Sequence, residues 1–162
     1  MDTEDRQSNS ELKTEQVFYN KEPMTHWHKD DFDKFLEWAV SRDSSDITLA
    51  PNQPVWVRRH GVWLAVTNRD VSSDEILYLV DTLSGSPAGS AILKGGKDLD
   101  FAYEYKVDRF KTLRFRGSAT ACKDGYSEGG EITMRSIPDI PPLLADLGVE
   151  TEIWENAFPN NG

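Results

Sequence analysis

From residue 97 the chain adopts a period of two and holds it through three successive stretches. "KDLDFAYEY" sets Leu99, Phe101, Tyr103 and Tyr105 against Asp98, Asp100, Ala102 and Glu104, and "RFKTLRFRGSATA" and "GEITMRSI" repeat the pattern. Such alternation sends successive side chains to opposite faces of a strand. Polar turns are expected at residues 107–109 and 123–130, so the three strands connect most simply as antiparallel neighbours. One face of that sheet is apolar and must be covered, while the other is polar and can meet water or a partner.

The segments ahead of the sheet supply the cover. "KDDFDKFLEWAVSR" places Phe32, Phe35, Leu36, Ala39 and Val40 at helical spacing, with Asp30 and Asp31 in the first turn, where the helix dipole favours anions. "SSDEILYLVDTL" opens with Ser72 and Glu75 at capping-box spacing and continues with Ile76, Leu79, Val80 and Leu83 on one face. In "SPAGSAILKGG" the spacing predicts a short third helix with Ser86 as N-cap, Pro87 at its first position and Gly95 past its end. Between the first two helices, "SDITLA" reads as a strand and "PVWVRRHGVWLAV" as a hairpin about His60-Gly61. After the sheet, "PDIPP" enforces extended backbone before "LLADLGVETEIWENAF", which reads as one or two short helices. This order predicts an α+β fold: one antiparallel sheet with helices on a single face, the opposite face open.

A length of 162 residues suits one domain plus tails. Residues 1–22 are polar with little periodicity and read as a mobile tail, the alternative being a docking peptide through Val17, Phe18 and Tyr19. A net charge of -10 argues against direct nucleic-acid binding, whose affinity comes mainly from Lys and Arg on phosphates. A single cysteine, Cys122, cannot form an internal disulfide, and no run is apolar for long enough to be a signal core or membrane span, so a soluble protein of a reducing compartment is expected.

Few motifs carry chemistry. "AILKGGKD" lacks the first glycine and the final Ser or Thr of a phosphate-binding loop and reads as a helix stop. His26, His28 and His60 do not make a zinc set, and Cys122 has no histidine in pairing context, so no metal is expected and Cys122 reads as structural. The five tryptophans, Trp56 and Trp63 among them, read as core and sheet packing, because a stacking platform for single strands comes with a basic groove.

The polar parity of the sheet is different. Arg114 and Arg116 share it on one strand and Arg135 on the next. Asp98, Asp100 and Glu104 on the preceding strand could pair with them as ordinary cross-strand ion pairs. Three guanidiniums on one sheet face also make a cradle for phosphate, which arginine grips bidentately.

In order and spacing, "SSDITLAPNQPVWVRRHGVW", "KDLDFAYEY", "LRFRGSATA" and "EITMRSIPDIPPLLADLGV" resemble the N-terminal domain of the secretion traffic ATPases typified by the type IV pilus retraction motor. The branch serving Dot/Icm-type (type IVB) secretion and I-type plasmid conjugation is the most similar, over about residues 27–158. The resemblance implies a PAS-like sheet domain at 27–140, preceded by a mobile tail at 1–26 and followed at 141–162 by a linker and helix. That helix would lead toward a RecA-like ATPase domain, whose P-loop lysine and Walker B acid do not occur in these 162 residues. It also implies a homohexamer, with ATP and Mg bound by the complete protein, and neighbouring subunits and membrane-embedded secretion or conjugation machinery as partners. The location implied is cytoplasmic, peripheral to the inner membrane. Arg114, Arg116 and Arg135 match positions that reach the nucleotide's phosphates in relatives, and Gly117-Ser118 stands where relatives often have Val-Asn. The competing reading is a self-sufficient PAS-like sensor or adaptor that binds a small ligand or a partner protein. Continuation of the reading frame past Gly162 into a phosphate-binding loop would separate the two.

Overall fold

The computed structural model describes residues 18–124 and 127–138. Among these residues three helices, α1 (Lys29–Ser41), α2 (Ser73–Ser84) and α3 (Gly89–Lys94), cover one side of a six-stranded antiparallel sheet, an α+β architecture. The strands are β1 (Ser44–Leu49), β2 (Trp56–Arg59), β3 (Val62–Ala65), β4 (Leu99–Lys106), β5 (Thr112–Asp124) and β6 (Ser127–Ile137). In their spatial order, β3-β2-β1-β6-β5-β4, β1 lies between β2 and β6 and joins the β2–β3 hairpin to the C-terminal three strands.

The periodicity sorts the side chains as expected. On β5, Leu113, Phe115, Gly117 and Ala119 are buried while Arg114, Arg116 and Thr120 are exposed. The buried parity meets Phe32, Phe35, Leu36 and Ala39 of α1 and Ile76, Leu79, Val80 and Leu83 of α2 in one core. Burying each such large side chain contributes about 1.5–3 kcal/mol. The β2–β3 hairpin turns through His60 (φ 48°) and Gly61 (φ 83°), two successive left-handed residues that match the twist of the strands.

Three expectations need correction. The third helix begins at Gly89, not Pro87: Ser86 instead closes a turn, its carbonyl accepting from the Gly89 N–H at 3.0 Å. The cap comes from the preceding helix, where the Asp81 carboxylate accepts from the Ser90 N–H (2.7 Å) and hydroxyl (2.8 Å). Second, β5 and β6 pair through the stretch expected to turn, with Cys122 opposite Gly129 and Asp124 opposite Ser127. Third, part of the expected tail is packed: Tyr19 is buried and donates its N–H to the Val66 carbonyl at 2.7 Å. Tyr19 stacks among Trp27, Phe35 and Trp38, at ring centroids 5.2 to 6.1 Å apart, and that burial offsets the ordering of a polar segment. Residues 1–17 and the helices expected beyond 140 lie outside the described residues.

Glu75 anchors this strap. It completes the capping box with Ser72 and is 1% exposed. Its Oε1 accepts from the Trp27 N–H (2.9 Å) and an Arg69 Nη (2.6 Å), and its Oε2 from Arg69 (3.0 Å), the Ser72 N–H (2.9 Å) and the Ser72 hydroxyl (3.1 Å). Arg69 in turn donates from Nε to the Pro23 carbonyl at 2.7 Å. Burial works to raise the Glu75 pKa, but the Arg69 fork and the Ser72 and Trp27 amides outweigh it and hold the carboxyl at about 2.

Candidate functional site

The face opposite the helices carries the cationic row. Strand pairing sets Asp46 of β1 opposite Arg135 of β6, Arg135 opposite Arg116 of β5, and Arg116 opposite Ala102 of β4. Arg58 of β2 extends the row beyond Asp46. An open depression of about 220 Å³ lies here, lined by Asp46, Arg116, Gly117, Ser118, Thr133 and Arg135. Two of the three arginines marked out by the sequence, Arg116 and Arg135, therefore share one concavity. Arg114 stands on the same face in the next row, opposite Glu104 and Ile137, and donates from Nε to Glu104 at 3.1 Å.

The charges are not equally committed. Arg116 is exposed and makes no side-chain hydrogen bond or ion pair among the described residues. Arg135 donates from Nε to Asp46 Oδ1 at 2.7 Å, with its own side chain 69% and that of Asp46 7% exposed. Burial acts to raise the Asp46 pKa, yet the hydrogen bonds from Arg135 and from the Ser45 hydroxyl, with the Arg58 charge, leave it below the ordinary carboxylate range. Asp100, one of the acids expected to pair with these arginines, lies opposite Ser118, a row away from Arg116. Among the described residues the Glu104 pair of that expectation forms, and Arg135 meets the Asp46 carboxylate on β1.

Gly117 turns inward beneath the row. A Cβ there would lie 2.3 Å from the Phe101 ring, which covers the glycine from the paired strand. The close approach that glycine permits is thus made by an aromatic side chain of the core face.

Other candidates stand apart. In "AILKGGKD" the chain leaves α3 through Gly95 and Gly96 (φ 74°), a helix stop as expected. His26 and His28 meet Tyr78 at ring centroids 5.2 and 6.3 Å apart, and His60 is in the hairpin turn. Among the described residues no group of three or more His, Cys, Asp or Glu side chains could hold a metal ion. Cys122 is half-buried on β5. Trp27 is buried, as expected of a core tryptophan, whereas Trp63 is 44% exposed opposite Arg58. No helix among the described residues is long and apolar enough to cross a membrane.

Solved structures with this architecture decide the family. The X-ray structure of the Legionella pneumophila ATPase DotB matches with a TM-score of 0.76 and 33% identity, over 89% of this chain and 39% of that one. The chain belongs with the N-terminal domains of the PilT-type secretion traffic ATPases, close to DotB. The Yersinia pseudotuberculosis ATPase DotB shares the fold of this traffic-ATPase domain (TM-score 0.74, 23% identity, 91% of this chain and 41% of that one). So does the pilus retraction motor PilT, solved with bound ADP (TM-score 0.56, 22% identity, 76% and 34%). This chain spans about two fifths of the DotB chains it matches. Protein-family models and curated protein sequences give no match.

Asp46 is the residue that sequence reasoning missed. It shares the polar parity with Thr48, but the pairing of β1 with β6 spans 89 residues and leaves no local signal.

Proposed function

We propose that this traffic-ATPase domain presents Arg116 and Arg135, with Arg114 beside them, to the phosphates of a nucleotide held by a RecA-like P-loop domain. The carrying observation is that Arg116 and Arg135 are cross-strand partners on adjacent strands and both line one open depression. Arginine suits the role because its fork stays charged and grips a terminal phosphate in two places. ATP and Mg would be bound chiefly by the P-loop domain, and loss of the terminal phosphate on hydrolysis would release the arginines and let the two domains move apart. The ADP in the PilT structure makes a nucleotide the fitting ligand.

In this reading residues 27–140 form the sheet domain, and 141–162 lead toward the ATPase domain. The complete protein works as a homohexamer in which the domain meets its own ATPase domain and neighbouring subunits. It sits in the cytoplasm against the inner-membrane machinery of type IVB secretion or conjugative plasmid transfer. The likeness to DotB favours this reading over a free-standing sensor.

The test is a photocrosslink between an azido-ATP analogue and the domain. In the protein that joins it to a P-loop domain, label on β5 or β6 is expected. Label confined to the P-loop domain in both ATP- and ADP-like states would refute the assignment.

A further inference from the structure

Asp46 is the acid on which the cationic row is built. It lies on an inner strand, opposite Arg58 on one side and Arg135 on the other, and its carboxyl is almost wholly buried while Arg135 reaches out. The single bond it makes to Arg135 uses Nε, at 2.7 Å. The Ser45 hydroxyl donates to its second oxygen at 2.8 Å and holds the carboxylate in place. A guanidinium gripped at Nε keeps both Nη groups for another acceptor. Without the carboxylate, Arg58, Arg135 and Arg116 would be three like charges in one cross-strand row, and Arg135 would be an unrestrained four-torsion side chain.

We infer that Asp46 is a positioning residue that holds Arg135 by Nε so that its two Nη groups face the depression shared with Arg116. This rests on the phosphate reading above and adds to it a fixed aim. The ordering cost of a long side chain is met on folding, not on binding. The anion therefore joins the Asp46–Arg135 pair and does not displace it.

The idea makes a prediction opposite in sign to simple charge counting. Asp46→Ala and Asp46→Asn remove the same negative charge, and by net charge alone both would tighten an anion equally. If Asp46 aims Arg135, Asp46→Ala weakens binding of sodium tripolyphosphate to the 162-residue chain by roughly three- to tenfold. Asp46→Asn, which retains an acceptor for Nε, recovers part of the loss. Equal tightening in both variants would overturn the inference.

Arginine-detected NMR of the wild-type chain decides the matter even if Asp46→Ala does not fold. With tripolyphosphate added, the Arg135 Nε–H should keep its protection from exchange while the Nη resonances of Arg116 and Arg135 shift. Loss of Nε–H protection would mean that the anion replaces Asp46, which refutes the positioning role alone. No shift at either arginine would leave Asp46 with no anion toward which to aim Arg135 and would overturn the inference, while the photocrosslink in the joined protein tests the phosphate reading separately.

Discussion

Replacing Glu75 by Gln probes the strap that ties residues 19–27 to α2. The carboxylate sits 1% exposed, and its partners bring its pKa from an ordinary 4.5 to about 2. At about 1.4 kcal/mol per unit, that depression corresponds to about 3 kcal/mol of folding stability. Glutamine keeps one acceptor oxygen, which can serve Trp27 and Arg69. Its amide nitrogen must then face the Arg69 Nη and the Ser72 N–H, two donors that Oε2 now accepts. Removing one partner of a buried ion pair costs about 3–5 kcal/mol in other proteins, in accord with this value. Because the folded pKa is the lower one, the stabilisation is complete above pH 4.5 and is lost as pH falls toward 2. Urea unfolding followed by tryptophan fluorescence, run from pH 7 to pH 2.5, should give a difference of about 3 kcal/mol at pH 7, or roughly 10 °C in Tm. The difference should shrink steadily below pH 4.5. A loss under about 1 kcal/mol at pH 7, or one that stays constant with pH, would refute the reasoning.

Gly117→Val should destabilise by about 1–3 kcal/mol, because its Cβ would fall 2.3 Å from the Phe101 ring; denaturant midpoints check this, and Phe101→Ala in the same chain should relieve part of the loss. Tyr103→Phe removes the phenol that donates to Asp33, whose carboxylate keeps its 2.6 Å bond from Lys29, so calorimetry should show a loss of about 1.5–3 kcal/mol. The 162-residue chain should scatter light as a monomer at micromolar concentration, because the ring interface proposed above pairs this domain with an ATPase domain; a stable hexamer would count against that arrangement.

The parts of this fold that were legible in the sequence are those set by local pattern. Phe32, Phe35, Leu36 and Ala39 enter the core, and Arg114, Arg116 and Arg135 lie on the open face, because period alone assigns a side chain to a face. Partners distant in sequence were not legible. Nothing near Ser86 shows that Asp81, on the previous helix, caps α3. Tyr19 follows Phe18 in a polar segment without period, and its place is fixed by Val66, 47 residues on. The consecutive order of β4, β5 and β6 points Arg135 toward the acids of β4, but β6 has a second neighbour in β1, which carries Asp46.

The central claim, that Arg116 and Arg135 act together on a nucleotide's phosphates, is tested most directly by ATP turnover of the protein that joins this domain to a P-loop domain. Arg116→Ala and Arg135→Ala should each slow turnover at least about tenfold with the fold intact by circular dichroism, against the 10³–10⁵ that one phosphate-gripping arginine reaches in other NTPases. Wild-type turnover in both variants would reduce the row to surface ion pairing and contradict the account.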